Sequence, residues 1–282
     1  MERLEAIEES SEAGTAKLEL CRWVAGQGGR QAEDLLAREE PLEIRVRGRA
    51  IAVTMRTPGE DPELAAGFLL GEGLITRRED ILEIGPCLQA AVENAGNVLN
   101  VFVAPTVDVD FERLTRHVFT TSSCGLCGRA SIEAVRQRFP RVNSPMSIRP
   151  QLILTLPGRL RSAQSNFAQT GGLHAAALFD GRGELLVVRE DVGRHNAVDK
   201  CIGFALLNDR IPLDEHILMV SGRASFEIVQ KAWAAGIPVV AAISAASSLA
   251  VECARESGQT LVGFVRGESM NIYTGVERIQ KC

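Results

Sequence analysis

Two stretches near the start of the chain carry hydrophobic and polar positions in patterns typical of a β-hairpin and a helix. Residues 41–56 alternate apolar and polar side chains on both sides of Gly48, which predicts a hairpin. Residues 61–63, Asp-Pro-Glu, supply a cap, a first-turn proline and an early acid, so a helix is predicted to begin there. Its apolar face would contain Leu64, Phe68 and Leu69. Further strands are predicted near 81–90 and 98–103, and further helices over 110–117 and 129–138.

From about residue 140 the pattern changes to strands and helices in alternation. Such alternation is typical of a sheet covered by helices on both faces, so the sequence predicts an α/β fold for this region. The predicted strands are 173–179, 184–189, 216–220, 238–243, 260–265 and 270–273, and the predicted helices are 196–208, 224–235 and 247–256.

The two patterns predict two domains after a short tail. Residues 1–16 are acidic and poor in large apolar side chains, so we expect a flexible tail. A smaller N-terminal α+β domain is expected over residues 17–139, and an α/β domain over residues 140–282. The start of the second domain is punctuated by Pro140, Pro145, Pro150 and Pro157.

Composition narrows the class of protein. The 282 residues include 31 Lys or Arg and 36 Asp or Glu, a net charge of −5, so the basic excess of a nucleic-acid-binding protein is missing. No apolar run approaches the roughly 20 residues of a membrane span, and the acidic N-terminus lacks the apolar segment of a signal peptide. We therefore expect a cytoplasmic protein that binds neither nucleic acid nor membrane. Its seven cysteines are expected to be reduced thiols.

Cys124 and Cys127 form the one closely spaced cysteine pair, in the order Cys-Gly-Leu-Cys. They lie in a polar loop, 118–128, just before the helix predicted over 129–138. A helix N-terminus favours negative charge, and a neighbouring thiol can donate a hydrogen bond to a thiolate, so one sulfur becomes nucleophilic near neutral pH.

The residues alone leave several roles open for this pair. Structural zinc needs four ligands, and no second close pair of cysteine or histidine exists, although distant ligands can converge. A thioredoxin-like pair follows the first strand of a βαβ unit, whereas this pair lies mid-chain. Two bystander thiols are the ordinary explanation. The glycines and the adjacent helix start favour functional sulfur chemistry, with no metal expected.

Three polar segments follow predicted strands of the second domain, at 189–195, 221–225 and 264–269. Ligands of α/β sheets bind beyond the carboxyl ends of the strands, so all three are candidates for one site. Helix N-termini and arginines suit phosphate, which points to Ser221, Gly222, Arg223, Arg194 and Arg266.

Each of these segments also has an ordinary structural explanation. The seven ionisable residues of 189–200 could simply form ion pairs with one another. The serines of 221–225 could cap a helix, and 264–269 could be a surface turn between two strands. In the functional interpretation, Asp191 or Glu190 accepts hydrogen bonds from a base, and His195 transfers protons.

Several motifs follow one another in a fixed order over roughly residues 40–275. They are EPLEIRV at 40–46, MRTPG at 55–59, LAAGFLLGEG at 64–73, SCGLCG at 123–128, TGGLHA at 170–175, REDVGRHNAVDK at 189–200, SGRAS at 221–225 and NIYT at 271–274. No single motif is decisive, but the ordered set is specific, and it resembles the formate dehydrogenase accessory sulfurtransferases of the FdhD family.

The resemblance implies a sulfur carrier or sulfurtransferase. It implies that sulfur from a cysteine desulfurase is held as a persulfide on Cys124, with Cys127 as its neighbour. The sulfur would pass to the molybdenum centre of a bis-(molybdopterin guanine dinucleotide) cofactor, which formate dehydrogenase needs for activity. The stretch implied to bind this cofactor is Phe264, Val265, Arg266, Gly267, Glu268 and Ser269.

The resemblance also implies that residues 140–282 form a cytidine-deaminase-like α/β domain and that the protein is a homodimer. Deaminase chemistry is not implied, because the sequence lacks the H-x-E and P-C-x-x-C of zinc deaminases. One departure from the family pattern is Ala246, where a proline is expected.

From this interpretation we expect guanosine diphosphate to mimic the cofactor's nucleotide end and to bind more tightly than adenosine diphosphate. The difference would come from a carboxylate such as Asp191 or Glu190, since adenine lacks the donors of the guanine edge. Two competing classes are a non-catalytic chaperone of cofactor or apo-enzyme, whose cysteines anchor a metal, and a disulfide oxidoreductase.

Overall fold

The structure is a computed structural model that describes residues 8–9, 14–87, 91, 94, 96–111 and 139–281. The strands are β1 (Glu8–Glu9), β2 (Thr15–Val24), β3 (Gly28–Ala37), β4 (Glu40–Val46), β5 (Arg49–Arg56), β6 (Ile81–Pro86), β7 (Val98–Val103), β8 (His174–Asp180), β9 (Leu185–Asp191), β10 (His216–Val220), β11 (Val239–Ala242), β12 (Thr260–Arg266) and β13 (Ser269–Thr274). The α-helices are α1 (Asp61–Gly71), α2 (Pro150–Ala163), α3 (Ser165–Thr170), α4 (Arg194–Leu207), α5 (Phe226–Ala234) and α6 (Ser248–Ser257). Short 3-10 turns occupy Arg78–Asp80 and Val276–Arg278.

The strands form three sheets. The largest has the order β13-β12-β11-β10-β8-β9, and the N-terminal region adds a sheet of order β5-β4-β7-β6 and another of order β1-β2-β3. Within the largest sheet, β10, β11 and β12 are parallel, whereas the remaining pairs are antiparallel. The fold is therefore a mixed α/β fold. This confirms the α/β prediction, and the likeness to cytidine deaminases stays a prediction.

Helices cover both faces of the largest sheet, as predicted. Alternate residues of β8 point to opposite faces, which is the period of a strand. Ala175, Ala177 and Phe179 pack in one buried cluster with Ile153 and Leu156 of α2. The other face joins a larger cluster, whose members come from α4, α5 and α6 and also from the N-terminal region.

The larger cluster is shared by the two predicted domains. It contains Leu42 and Ile44 of β4 and Leu64 of α1, together with Val198 of α4 and Val229 of α5. Burying apolar surface is the main favourable term in folding. The N-terminal sheet and the largest sheet therefore lie on two sides of one common core.

Helices α1 and α4 cross at glycines. A Cβ added to Gly67 of α1 would overlap the backbone carbonyl oxygen of Asp199, and one added to Gly203 of α4 would overlap that of Glu63. The two backbones can approach this closely because neither glycine has a side chain. This glycine crossing fixes the N-terminal region on the C-terminal one.

The hairpin predicted around Gly48 is confirmed as β4 and β5. Arg47 and Gly48 both have positive φ, 49° and 79°, as a two-residue hairpin turn requires. The helix predicted from Asp61 is also confirmed, with Pro62 in its first turn. The predicted segments 112–117 and 129–138 lie outside the described residues.

The predicted tail differs from the structure where the structure describes it. Glu8 and Glu9 pair antiparallel with Lys17 and Ala16, and Thr15 is buried at the start of β2. Strands β2 and β3 form a hairpin of ten-residue strands that was not predicted. Its first residues, 15 and 16, fall in the predicted tail, and the rest lies in the part of the N-terminal domain for which no element was predicted.

Helix α2 was also missed. Pro150 stands in the first turn, where a proline needs no amide hydrogen, but Pro157 lies inside the helix. The prolines were interpreted as punctuation of an irregular segment. The competing signal was the helical spacing of Ile153, Leu156 and Leu160, which are all buried. No helix within the described ranges is long and apolar enough to cross a membrane.

Candidate functional site

The three predicted polar segments lie along one edge of the largest sheet. The carboxyl ends of β9, β10, β11 and β12 point the same way, as the parallel and antiparallel pairings require. We call this the carboxyl edge, and it consists of His174 and residues 191–195, 221–225, 243–247 and 264–269.

The first two segments meet directly. His195 Nε2 lies 3.1 Å from Ser225 Oγ. A Cβ added to Gly222 would lie 3.5 Å from His174 Nδ1 and 3.7 Å from Arg194 Cδ, so this loop passes over both side chains. The predicted segments 189–195 and 221–225 are therefore in contact, and their shared role in a site stays a prediction.

The third segment joins the others through residues 243–247. Ala224 N donates to Ala245 O (3.0 Å), and Phe264 N donates to Ser244 O (3.0 Å). Arg266 Nε donates to Ile243 O (3.0 Å). Residues 243–247 were not predicted as part of the site. Ala246, where the family pattern expects proline, forms a bridge with Ala224.

Three arginines give the carboxyl edge a positive character. Arg223 and Arg266 are exposed, whereas Arg194 begins α4 and its buried Nε has no hydrogen-bond partner. Within the described part of the chain, no carboxylate forms an ion pair with any of the three. Guanidinium groups that have no carboxylate partner are suited to bind phosphate oxygens.

The β12–β13 connection presents an aromatic side chain beside Arg266. Phe264 has a positive φ of 52°, which is unusual for a residue with a side chain, and it lies where β12 and β13 lose their regular register. The Arg266 guanidinium lies 5.5 Å from the centre of the Phe264 ring. Val265 points the other way into the core, so only its backbone could contact a ligand.

Most ionisable residues of 189–200 prove to be structural. Arg189 forms a two-pronged ion pair with Glu63 of α1, at 2.6 and 2.8 Å. Glu190 accepts from the backbone N–H groups of Asn166 and Phe167 at the start of α3. This carboxylate is thus occupied, and the geometry does not support its predicted contact with a base.

Asp191 is fully buried and organises the junction between the two regions. It accepts from Thr57 N (3.1 Å), Gly193 N (2.8 Å) and Asn196 Nδ2 (2.9 Å), and it pairs with Lys200 Nζ at 2.9 Å. The geometry therefore argues against the predicted direct contact of Asp191 with a ligand. Sequence could not show this, because Thr57 is more than 130 positions away.

A second buried pair lies behind the site. Lys231 Nζ contacts both Asp199 oxygens, at 2.7 and 2.8 Å. Burial raises the pKa of Asp199 to about 7. Burial opposes the charge on Lys231, but Asp199 and Glu227 hold the pKa of that ammonium above its usual value. Such pairs fix α5 against α4.

His195 is held neutral by its surroundings. Burial lowers the pKa of its ring from 6.5 to about 3, and the charges of Arg194 and Lys231 act in the same direction. Such a ring is neutral near pH 7, and its Nε2 shares a hydrogen bond with Ser225 Oγ. Proton transfer by His195 stays a prediction.

The neutral ring predicts a pH dependence of stability. Below pH 6.5 the His195 ring of the unfolded chain is protonated, whereas the ring of the folded chain stays neutral down to about pH 3. The free energy of unfolding therefore decreases as pH falls through this window. The decrease is at most about 1.4 kcal/mol for each pH unit, or about 2–3 kcal/mol between pH 6.5 and 4.5. Denaturant unfolding across this range should show a shallower pH slope for His195→Gln than for the wild type.

His216 provides the matched control. It lies at the opposite end of the same sheet and is only half-buried, although burial lowers its pKa too. His216→Gln should change the slope less than His195→Gln. Equal slopes for the wild type and His195→Gln would contradict a neutral buried ring.

Two of the isolated cysteines are poorly placed for sulfur chemistry. Cys201 and Cys253 are buried, as expected of small core residues. Burial raises the pKa of the Cys201 thiol to about 12, which leaves it unreactive. Cys21 is exposed on β2.

Cys124 and Cys127, with the loop 118–128, lie outside the described residues. The described chain stops at Phe111, whose ring is 4.3 Å from the Arg49 guanidinium carbon. It resumes at Phe139, which packs edge to face with Trp233 at 5.9 Å. Both ends of the segment that carries the cysteines are therefore held on the body of the protein.

His174 also lies at the carboxyl edge, and the sequence left its role undecided. It begins β8 at the carboxyl edge, and its pKa is lowered by burial and by Arg194. Its position after a Thr-Gly-Gly-Leu turn was the available signal. The edge as a whole brings three arginines, loop serines and the start of α5 together in an α/β fold, an arrangement whose chemistry suits an anionic ligand.

Comparison with known proteins then gives the family. A sequence model of the FdhD/NarQ family matches residues 37–280, so the chain belongs to this family. The sulfur carrier protein FdhD of Streptomyces coelicolor is 56% identical over 251 residues, which cover 87% of this chain and 89% of that protein. The sulfur carrier protein FdhD of Mycobacterium tuberculosis is 55% identical over 253 residues, covering 87% and 92%.

A solved structure has the same fold. The crystal structure of a formate dehydrogenase accessory protein from Desulfotalea psychrophila superimposes with a TM-score of 0.74 and 26% identity. The superposition covers 95% of this chain and 100% of that one. The predicted resemblance to the FdhD family is thereby confirmed.

Proposed function

We propose that this protein is a cytoplasmic sulfur carrier that takes persulfide sulfur from a cysteine desulfurase and passes it to the molybdenum centre of a bis-(molybdopterin guanine dinucleotide) cofactor. The receiving enzyme is a formate dehydrogenase. One observation carries the proposal: the family match over residues 37–280 includes both the cysteine pair and the carboxyl edge. Relatives above 50% identity are named sulfur carriers.

Loading of sulfur needs only a thiolate. The Cys124 thiolate attacks the outer sulfur of the desulfurase persulfide, the sulfur–sulfur bond of the donor breaks, and the donor cysteine leaves as a thiolate. Cys124 then holds a persulfide, and no net oxidation has occurred. Intact mass spectrometry after incubation with a cysteine desulfurase and cysteine checks this step, with a gain of one reductant-labile sulfur expected.

Delivery of sulfide to the metal needs two electrons, because the outer sulfur of a persulfide is zero-valent. The Cys127 thiolate supplies them by attacking the Cys124 sulfur. A Cys124–Cys127 disulfide forms, and the outer sulfur leaves as hydrosulfide to the cofactor, which is the substrate of the reaction. A cellular thiol reductant then restores both cysteines.

The carboxyl edge is the proposed site for the cofactor's nucleotide end. Arg194, Arg223 and Arg266 would meet the diphosphate. Since Asp191 and Glu190 are occupied internally, we assign the guanine contact to Glu268, which is exposed in the β12–β13 turn. A carboxylate accepts from the guanine edge, and adenine lacks the same donors.

This assignment predicts the binding of nucleotides. Guanosine diphosphate should bind more tightly than adenosine diphosphate, and Arg266→Ala or Arg223→Ala should weaken binding by about 1.5–3 kcal/mol, the value of one charged contact. Glu268→Gln should reduce the preference for guanosine over adenosine. Calorimetry with both nucleotides measures these effects.

Arg255→Ala is the matched control, because Arg255 is an exposed arginine in the last turn of α6, at the opposite edge of the sheet. It should leave affinity unchanged. Equal affinity of the wild type for the two nucleotides would show that the carboxyl edge does not distinguish guanine.

A further inference from the structure

Ser225, His195 and Glu227 form a chain of contacts at the carboxyl edge. His195 Nε2 lies 3.1 Å from Ser225 Oγ, and on the other side of the ring Nδ1 lies 3.6 Å from Glu227 Oε2. The side chains of His195 and Glu227 are 11% and 13% exposed, and Ser225 is half-buried. A hydroxyl, an imidazole and a carboxylate in this order are the three groups of a serine hydrolase triad.

The Ser225 hydroxyl makes this contact instead of capping its own helix. Ser225 is the N-cap of α5, with an extended backbone (φ −88°, ψ 166°), yet its side chain makes no cap hydrogen bond. Ser247, the N-cap of α6, has nearly the same backbone (φ −87°, ψ 157°), and its Oγ accepts from Ala250 N. A serine at an N-cap normally accepts from N–H groups of the first turn. The orientation of the Ser225 hydroxyl therefore follows from its contact with the imidazole.

The two contacts indicate which nitrogen of the ring carries the proton. A neutral imidazole has one N–H and one nitrogen that accepts, and a carboxylate accepts without donating. The Nδ1 proton therefore faces Glu227, and Nε2 accepts from the Ser225 hydroxyl. At 3.6 Å the contact with Glu227 is longer than a hydrogen bond, as contacts in catalytic sites often are before substrate binds. The other oxygen of this carboxylate, Oε1, lies 3.9 Å from Lys231 Nζ.

Positive groups lie on both sides of the Ser225 hydroxyl. Its side chain leaves the first turn of α5 uncapped, and N–H groups at a helix start stabilise negative charge. Arg194 begins α4 next to His195 and forms no ion pair with a carboxylate in the described ranges. An oxyanion that forms on a group bound to Ser225 has these N–H groups as neighbours, and Arg194 can hold a second negative charge.

We propose that Ser225, His195 and Glu227 are a catalytic triad that hydrolyses a carboxylic ester carrying an anionic group. Ser225 Oγ attacks the carbonyl carbon while its proton passes to His195 Nε2. The bond to the leaving alcohol breaks, the alcohol takes the proton from Nε2, and the acyl group stays on Ser225. Water then attacks the acyl group through the same ring and releases the acid, with no net oxidation. This activity uses neither cysteine of the pair and is independent of the proposed sulfur-carrier function.

The charge of the substrate strengthens the base. Burial and the charge of Arg194 lower the pKa of the His195 ring. An anionic group beside Arg194 offsets that charge, so the ring accepts the Ser225 proton more readily once the substrate is bound. The triad should therefore hydrolyse an anionic ester faster than a neutral ester of the same size.

Hydrolysis of two chromogenic esters tests the triad. Para-nitrophenyl hemisuccinate carries a carboxylate, and para-nitrophenyl valerate is a neutral ester of similar length. The reference protein is the full chain with Cys124→Ala and Cys127→Ala, because thiolates also react with such esters. Its kcat/KM should be about tenfold or more higher for the anionic ester. Adding Ser225→Ala should lower kcat about a hundredfold or more.

Ser165→Ala is the matched control, because Ser165 is an exposed serine at the start of another helix, α3. It should leave both constants unchanged. His195→Gln should lower kcat as much as Ser225→Ala, since both remove the same proton transfer. Glu227→Gln should lower kcat about tenfold with KM unchanged, because Glu227 positions the ring and does not touch the substrate. Circular dichroism checks that each variant is folded.

A second measurement needs no change at the triad. A fluorophosphonate inhibitor should add one phosphonyl group to Ser225 of the reference protein, with loss of fluoride, and peptide mass spectrometry locates it. A reference protein that hydrolyses neither ester, a folded Ser225→Ala variant that keeps the full rate, or a phosphonyl group on another serine would each overturn the proposal. The contact between His195 and Ser225 would then serve only the packing of α4 against α5.

Discussion

Cys124→Ala should abolish activation of formate dehydrogenase while the protein remains folded. In the proposed mechanism Cys124 carries the sulfur, so no other thiol of the chain can replace it. Intact mass spectrometry should show no reductant-labile sulfur on this variant after incubation with a cysteine desulfurase and cysteine. The activity of formate dehydrogenase matured with the variant should fall to the level seen without the protein.

Cys21→Ala is the control, because Cys21 is an exposed cysteine outside the pair. It should load sulfur and activate the enzyme normally. Cys127→Ala should load sulfur on Cys124 but impair delivery. Full activation by Cys124→Ala would refute the carrier role. About one metal per chain, lost in Cys127→Ala, would instead support a chaperone whose cysteines anchor a metal.

Gly67→Ala should lower the free energy of unfolding by about 3 kcal/mol or more. Its new Cβ would overlap the backbone of Asp199, and backbone atoms cannot move aside as the end of a flexible side chain can. Gly203→Ala should have a similar effect, because it meets the backbone of Glu63 in the same way. Urea denaturation of purified variants measures the change.

Gly158→Ala is a control that should change the free energy of unfolding in the opposite direction. Gly158 lies in α2 with open space around the position of a Cβ. Alanine there should stabilise the protein by about 0.5–1 kcal/mol, since it restricts the unfolded chain and favours the helix. Similar effects of Gly158→Ala and Gly67→Ala would mean that helix propensity, and not the glycine crossing, determines the result.

Local patterns predicted much of the fold. The hairpin around Gly48, the start of α1 and the strands and helices after residue 173 follow from periodicity and punctuation within about fifteen residues. Other elements were missed where local signals conflicted. In α2 a proline lies inside a helix, and in β2 and β3 the apolar residues alternate with polar and charged ones.

The common position of the three polar segments was predictable, whereas the roles of single residues were less so. The rule that ligands bind beyond the carboxyl ends of strands led us to expect 189–195, 221–225 and 264–269 at one edge, where the structure places them. The roles of Glu190 and Asp191 were missed because their partners, Asn166, Phe167 and Thr57, are distant in sequence. Only the folded chain shows that these carboxylates already accept hydrogen bonds within the protein.

The glycine crossing has a consequence for synthesis of the protein. Helix α1 buries Leu64, Leu69 and Leu70, and its close partner, α4, begins only at Arg194. While the ribosome makes the residues between them, α1 has no backbone to lie against and the shared core is incomplete. The N-terminal region must therefore wait for the C-terminal one, so a nascent chain that stalls before α4 exposes these leucines to chaperones and proteases.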